Sequence, residues 1–507
     1  MLNALDIIVI AAYIAAMSLI GVYFSRRTNT RDEFFLGGRG MHWILVGGSL
    51  SLFSTISFMA LPGEMIRYGL GFFVAYLILP LAIPVTTRVV IPNLLGLHIT
   101  SAYEYLDKRF GPRVTSLSAY AFILKTTIWM GVIIYTASLA VAEITGWSIF
   151  LIITVIGIIT TFYTSAGGLR SVIWTDFIQT LLFTGCALII PIYIGLSTGS
   201  RPLAWWGSFT EAGRTEITTF SLDPTVRITT VGSMASVFFY FICTNASDQM
   251  IVQRFLSTPS VKAARRSVWV FALSTILSIL FLMICGLSLF AFYRHRSALP
   301  NSDFQQQIAL QADRTMPQFI VQELPHGVSG LIVAGLLAAA MSGLSSGMSA
   351  ITSVIISNFQ QRLSNFRIFK RALLLERLIG VTVGAVGISL AVGITFAMRR
   401  TDWNLVELSG RLVNLFVGPL AVLFFSGMLL RRAGATSVVV GFIVSTAVSM
   451  LISYSKQLFG LSQGISFNWI IPGSFISGFV TTALISYSFN SLPELPAQTE
   501  GDGAEVH

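Results

Sequence analysis

The chain has 507 residues, of which 54% are hydrophobic and only 11% are charged. A soluble domain carries about 25% charged residues, so this composition excludes an ordinary soluble protein and predicts a polytopic, all-α membrane protein. The net charge of +10 does not indicate nucleic-acid binding, because basic residues also collect in the cytoplasmic loops of membrane proteins.

About thirteen apolar segments are long enough to cross a bilayer as helices, and we number them in chain order as spans one to thirteen. Their expected limits are residues 5–24, 43–66, 70–92, 115–142, 147–165, 171–196, 230–252, 267–292, 327–357, 374–397, 404–430, 434–455 and 467–488.

Basic residues cluster in the loops after spans one, three, seven, nine and eleven. The positive-inside rule places these loops in the cytoplasm, so we expect a multi-pass protein of the cell membrane (inner or plasma membrane) with its N-terminus outside and its C-terminus cytoplasmic. Span one has no basic segment before it, which favours a retained helix over a cleaved signal peptide. The acidic tail, residues 491–507, is predicted to be a disordered cytoplasmic segment.

Two spans are interrupted by polar residues. Span two contains a serine and threonine cluster followed by Pro62 and Gly63, and span seven is broken near Asn245 and Asp248. Broken backbone at membrane depth is tolerated only where it lines a cavity or a site. Two broken spans five helices apart are typical of an inverted repeat. We therefore predict repeats over about 43–196 and 230–430, within a single transmembrane transporter domain, 1–490.

Span nine carries a stripe of hydroxyl groups on one helical face. Its members fall at helical spacing and are Ser342, Ser345, Ser346, Ser349 and Ser353. Such a stripe is typical of helix packing, and an oxygen wall for a hard cation is the alternative. Asp176 in span six is an ionisable residue within a span, which is costly and therefore indicates function. A carboxylate from span six could balance a cation held by the serines of span nine.

Several motifs along the chain resemble the sodium:solute symporter family. They are LPGEMIRYG after span two, ITSAYEYLDKRFG after span three, GGLRSVIWTDFIQ in span six, DQMIVQRFLS at the end of span seven, the serine stripe, and GPLAVLFFSGML in span eleven. The resemblance implies a LeuT-type fold of five plus five helices, with one extra helix in front and two behind. It also implies that sodium entry drives the import of a small organic solute.

The resemblance further implies two sodium sites. The family's common site maps to backbone carbonyls of Leu50 and Phe53 in span two, and to Ala339 and Ser342 in span nine. The family has a second hydroxyl where this chain has Gly343, so the common site is expected to be weaker or completed by water or a neighbouring serine. A second site, found in members resembling sialic acid transporters, maps to the residues Asp176, Ser345 and Ser346.

The solute is expected at the midplane between the broken helices and spans three, four and eleven. The candidate contacts are Ser54, Ser57, Phe73, Tyr76, Trp129, Thr244 and Asn245. Relatives that take sialic acid carry an arginine where this chain has Trp129, so the same carboxylate clamp is not expected. Lys125 lies one turn away and could substitute, although its length and position favour a lysine that extends to the membrane surface.

Two further groups of polar residues lie at span ends. Glu64, Arg67 and Tyr68 resemble a gate or an interfacial ion pair. The polar residues of DQMIVQR at the end of span seven fit an inner gate or a network that holds the fold, namely Asp248, Gln249, Gln253 and Arg254.

The sequence predicts a sodium-coupled secondary active symporter that works by alternating access, with sodium as the bound ion. A transporter of the same fold that is proton-coupled or uncoupled is the first alternative, because of Gly343. A channel or a transporter-like receptor is the second. No HExxH or Walker A motif is present, so we do not expect an enzyme. The expected partners are the solute and the bilayer, with no nucleic acid, and the transport unit is expected to be a monomer.

Overall fold

The computed structural model describes residues 3–28, 30–50, 55–97, 99–215, 220–363, 372–398, 410–460 and 464–488. Two predicted site residues, Phe53 and Ser54, lie outside the described residues, as does the tail, 491–507. Every secondary-structure element in the described ranges is helical.

Ten helices in the described part of the chain are long and apolar enough to cross a membrane. They are Ala4–Ser25, Ala75–Leu95, Pro112–Thr145, Ile149–Thr198, Val261–Arg296, Val328–Asn358, Leu374–Met398, Gly410–Leu429, Ala435–Ser453 and Phe467–Ser488. Shorter helices connect them at the ends of the bundle: Arg31–Leu36, Ala102–Phe110, Pro202–Glu211, Asn301–Leu310, Ala312–Gln322 and Ser455–Phe459.

The helix Ile149–Thr198 contains both span five and span six, which meet at a kink. Gly168 has φ 63° and ψ −167°, a conformation that glycine adopts readily and that turns the chain between the two spans. Spans two and seven are not among the ten long helices because each is broken. With these two spans and the double helix included, helical structure is found in all thirteen predicted segments.

The breaks in spans two and seven lie where the polar residues predicted them. Span two consists of Trp43–Ser49 and Thr55–Tyr68, and the first of these helices ends at Leu50 with ψ 90°. Span seven consists of Thr230–Ser247 and Gln249–Leu256, separated by Asp248 with ψ 112°. The short helices have 7 and 8 residues, so both breaks lie about equally far from the same end of the bundle.

Span nine packs against spans one, four, five and six and forms the centre of the bundle. Asp6 in span one is fully buried and accepts hydrogen bonds from the backbone N–H groups of Gly327 (2.6 Å) and Gly330 (2.9 Å) at the start of span nine. These N–H groups have no partner within their own helix, so Asp6 satisfies them and holds span one against span nine.

Spans twelve and thirteen pack closely because small residues face each other. A Cβ atom on Gly441 would lie 1.9 Å from the Thr482 hydroxyl oxygen, so no larger residue fits at this crossing. Span thirteen also contacts spans seven and eleven, and its first turn, Phe467–Trp469, packs on span seven. This arrangement brings the last span to the central cavity described below.

Candidate functional site

Asp176 meets the serine stripe of span nine in the interior of the bundle. Its side chain is fully buried. One carboxylate oxygen accepts a hydrogen bond from the Ser346 hydroxyl at 2.7 Å, and the other lies 3.3 Å from the Ser345 hydroxyl. Carboxylate and hydroxyl oxygens are the ligands that a hard cation prefers, so the side chains present fit a sodium ion. The three residues of the expected second sodium site therefore lie together.

Arg254 also belongs to this site, although the sequence pattern did not predict it there. It lies in the short second helix of span seven, is only 4% exposed, and forms an ion pair with Asp176. Its guanidinium group also donates to the Ser346 hydroxyl and to the backbone oxygen of Ser49 beside the break in span two. One side chain thus links spans two, six, seven and nine. The guanidinium group balances the carboxylate charge that a sodium ion would also balance.

The far end of the serine stripe serves packing. The Gln249 amide donates to the Ser353 hydroxyl at 3.2 Å, and its carbonyl oxygen accepts from the backbone N–H of Ala102 at 2.8 Å. Gln253 donates to the backbone oxygen of Phe35 at 2.6 Å. The network-forming role expected for the end of span seven is therefore seen in these contacts, and the stripe divides into a packing part and a part that faces Asp176.

A cavity of about 280 Å³ lies beside this cluster, between the broken spans. Four of the predicted solute contacts line it, Ser57, Tyr76, Trp129 and Thr244, together with three of the residues expected at the common sodium site, Leu50, Ala339 and Ser342. Phe73 lies in the hydrophobic core, and the Asn245 amide donates to the backbone oxygen of Phe241 at 2.7 Å. Neither of these two side chains faces the cavity.

Lys125 and Asp248 form a second buried ion pair, on the wall of the cavity. The Lys125 ammonium lies 2.5 Å from an Asp248 carboxylate oxygen, and the two side chains are 4% and 7% exposed. The expectation that Lys125 extends to the membrane surface is therefore wrong. The break in span seven places a carboxylate within reach of the lysine, so its charge is balanced inside the bundle. The other Asp248 oxygen accepts from the backbone N–H of Met250 at 3.0 Å and caps the short helix.

Phe467 and Asn468 from span thirteen line part of the cavity. Arg227 lies next to them, because the Asn468 amide donates to its backbone oxygen at 3.3 Å and its guanidinium group lies 5.7 Å from the Phe467 ring centre. Arg227 also forms an ion pair with Glu64 at 3.1 Å and stacks on Tyr68. The predicted gate residues Glu64 and Tyr68 thus both contact Arg227, which the sequence pattern did not predict.

Comparison with known proteins agrees with this geometry. The model of the sodium:solute symporter family matches residues 34–445. The sodium/sialic acid symporter SiaT of Proteus mirabilis is 30% identical over 92% of this chain and 93% of the relative. Sodium-coupled monocarboxylate transporter 1 of Mus musculus is 26% identical over 90% of this chain and 74% of the relative.

A solved structure shares the fold over nearly the whole chain. It shows a Na⁺-coupled sialic acid symporter in a substrate-bound, outward-open state, with a novel Na⁺ site in that protein. The TM-score is 0.85 at 28% identity, and the match covers 96% of this chain and 98% of that chain. The thirteen helical segments, the two broken spans and the buried oxygen cluster therefore define a sodium-coupled secondary transporter of LeuT-type fold, and not an enzyme. The chain belongs to the sodium:solute symporter family.

Gly343 offers a direct test of the common sodium site. A Cβ atom at this position would lie 2.9 Å from the end of the Ile133 side chain, and both serine and alanine add this atom. We expect Gly343→Ser to bind sodium about tenfold more tightly than Gly343→Ala, because only serine adds an oxygen ligand next to Ser342. The sodium concentration that half-maximally raises the melting temperature measures this difference. Equal values for the two variants would place the site elsewhere.

Proposed function

We propose that this sodium:solute symporter imports its solute by alternating access, and that the coupling sodium ion binds between Asp176, Ser345 and Ser346. The observation that carries the proposal is the meeting of a fully buried carboxylate with two hydroxyls beside a central cavity. A carboxylate at this depth is costly unless a cation balances it. In this proposal the balancing cation is either a sodium ion or the guanidinium group of Arg254.

Sodium and Arg254 compete for the same oxygen atoms in this proposal. Arg254 lies on a helix of 8 residues that begins at the break at Asp248, so it can move without distorting the long helices. When sodium binds to Asp176, the guanidinium group moves away, and the short helix of span seven changes its contact with spans six and nine. Sodium can shift the transport equilibrium only through such a difference in affinity between the two states.

A second sodium position is proposed at Leu50, Phe53, Ala339 and Ser342. Leu50, Ala339 and Ser342 line the cavity, which supports this assignment, and Phe53 lies outside the described residues. Entry of each sodium ion down a membrane potential contributes about 2.3 kcal/mol per 100 mV to the uphill movement of solute.

The solute is proposed to contact Ser57, Tyr76, Trp129 and Thr244, because these side chains line the cavity. Phe73 and Asn245 remain predictions that the cavity lining does not support. Ser54 remains a prediction outside the described residues.

The same proposal includes the placement of the chain. We propose a single transporter domain over residues 1–490, with inverted repeats of about 43–196 and 230–430 and a cytoplasmic tail, 491–507. One broken span at the start of each repeat supports the repeats, and the basic loops support a cell membrane (inner or plasma membrane) location with the N-terminus outside. The transport unit is proposed to be a monomer that does not bind nucleic acid.

Uptake into proteoliposomes tests the proposed function. We expect concentrative uptake of a sialic acid or of lactate with sodium outside, and its loss when choline replaces sodium. We expect Asp176→Asn to weaken binding of ²²Na⁺ by at least about tenfold, because the carboxylate charge is lost. Asp303→Asn, which changes an exposed acid, should leave binding unchanged and serves as the matched control.

Each alternative predicts a different result. Uptake that persists in choline and follows a pH gradient would show proton coupling. Equilibration of the solute without accumulation would show an uncoupled transporter or a channel. Unchanged ²²Na⁺ binding in Asp176→Asn would remove this residue from the sodium site.

A further inference from the structure

The Lys125–Asp248 pair is placed where it can contact a solute. Both side chains line the central cavity and are almost completely buried. Burying a lysine and an aspartate is costly, and replacing such a pair by apolar residues is often neutral or stabilising. Packing alone therefore gives no reason for an ion pair in this wall.

The ammonium group of Lys125 retains donors for a ligand. It has three N–H groups, and among the described residues its one hydrogen-bond acceptor is Asp248. The centre of the Phe122 ring lies 5.2 Å from the nitrogen. Because the lysine borders the cavity, the remaining N–H groups can bind an acceptor in that space. Asp248 is itself fixed as a helix cap, so it holds the ammonium group in place.

The charges around the cavity favour an anionic solute. The charged residues that line it in the described part of the chain are Lys125, Asp248 and Arg254, and Asp176 balances the arginine from behind. This set is neutral overall. A sodium ion adds one positive charge in a region of low dielectric constant, where an unbalanced charge is costly. A solute with one negative charge offsets the charge of one sodium ion, so sodium and solute each raise the affinity for the other.

Aromatic rings complete the wall next to this charge. Trp129 lies one helical turn from Lys125 on the same face of span four, and Tyr76 and Tyr240 also line the cavity. These rings suit an apolar or planar body rather than a highly charged one.

We propose that the solute is a small monocarboxylate whose carboxylate group binds to Lys125 while its body packs against Trp129. Lys125 is then a specificity-determining residue, and Asp248 is a positioning residue that acts through it. The inference rests on the proposed symport function and adds the chemical class of the solute to it.

Pairs of acids and amides with the same skeleton test this inference. We use benzoate against benzamide and lactate against lactamide, with purified full-length protein in sodium. The readouts are the concentration that half-maximally raises the melting temperature and uptake into proteoliposomes. We expect each acid to act at concentrations at least about tenfold lower than its amide. In choline this preference should shrink, because the balancing charge is absent.

The double variant Lys125→Met with Asp248→Asn separates recognition from folding. It removes both charges together and keeps a helix-capping side chain at position 248. We expect it to fold and to lose the preference for the acid, with an acid-to-amide ratio below about threefold. Lys262→Met, which removes an exposed lysine at the start of span eight, should keep the full preference.

Three results would overturn the inference. They are equal action of acid and amide on the unaltered protein, a preserved preference in the double variant, and no effect of any of the acids. Sodium-dependent uptake without acid preference would leave the symport function standing. Uptake of the acids at the same rate with and without sodium would instead contradict the proposed sodium coupling.

Discussion

Replacing Arg254 by glutamine is expected to make the stability of the protein depend on sodium. The guanidinium group is buried and paired with Asp176, and removal of one partner of such a pair costs about 3–5 kcal/mol. A sodium ion can restore the balance, because the oxygens of Asp176, Ser345 and Ser346 remain in place. Sodium at a hundred times its dissociation constant would return about 2.7 kcal/mol. We therefore expect a large fall in melting temperature in choline and a much smaller one in sodium.

Two variants act as controls for this result. Arg296→Gln removes an exposed arginine from an ion pair with Glu323, and we expect little change in either salt. Adding Asp176→Asn to Arg254→Gln removes both charges, so the extra loss in choline should disappear together with the effect of sodium. An equal fall in melting temperature for Arg254→Gln in both salts would contradict competition between sodium and the arginine.

Single replacements in the Lys125–Asp248 pair are expected to destabilise the protein far more than the double replacement. Asp248→Asn leaves an ammonium group buried without a counter-charge, and Lys125→Met leaves a carboxylate in the same state. Each single change is expected to cost about 3–5 kcal/mol. The double variant buries neither charge, so its stability should lie close to that of the unaltered protein.

A double-mutant cycle measures this coupling. Melting temperatures of the four proteins, taken in sodium-free buffer, give the interaction between the two positions after conversion to free energy. Additive losses would mean that the two side chains do not balance each other in the folded protein. Lys262→Met reports the effect of losing a lysine outside the cavity and should be close to neutral.

The spans and their breaks were predictable because lipid imposes strong rules on sequence. Helices that cross a bilayer need long apolar segments, and polar residues near Asp248 could be accommodated only at a break. The contact of Asp176 with Ser345 and Ser346 was also predictable from the sequence. Helical periodicity places the serines on one face, and a buried acid needs partners of this kind.

The two buried ion pairs were harder to predict. Arg254 follows the break in span seven, and helical periodicity does not give the direction of a short helix after a break. Lys125 has the length and position of a lysine that reaches the membrane surface. Only the three-dimensional structure shows that Asp248 comes within 2.5 Å of it. The partner of Glu64 was missed for a similar reason, because Arg227 lies in a long loop with no periodic pattern.

Span thirteen belongs to neither repeat, yet Phe467 and Asn468 line the cavity, and the Asn468 amide donates to the backbone oxygen of Arg227. A chain cut after Leu429 would retain both groups of five helices and would still lack one wall of its binding chamber. Span thirteen therefore contributes to the binding cavity, and a minimal version of this protein must include it.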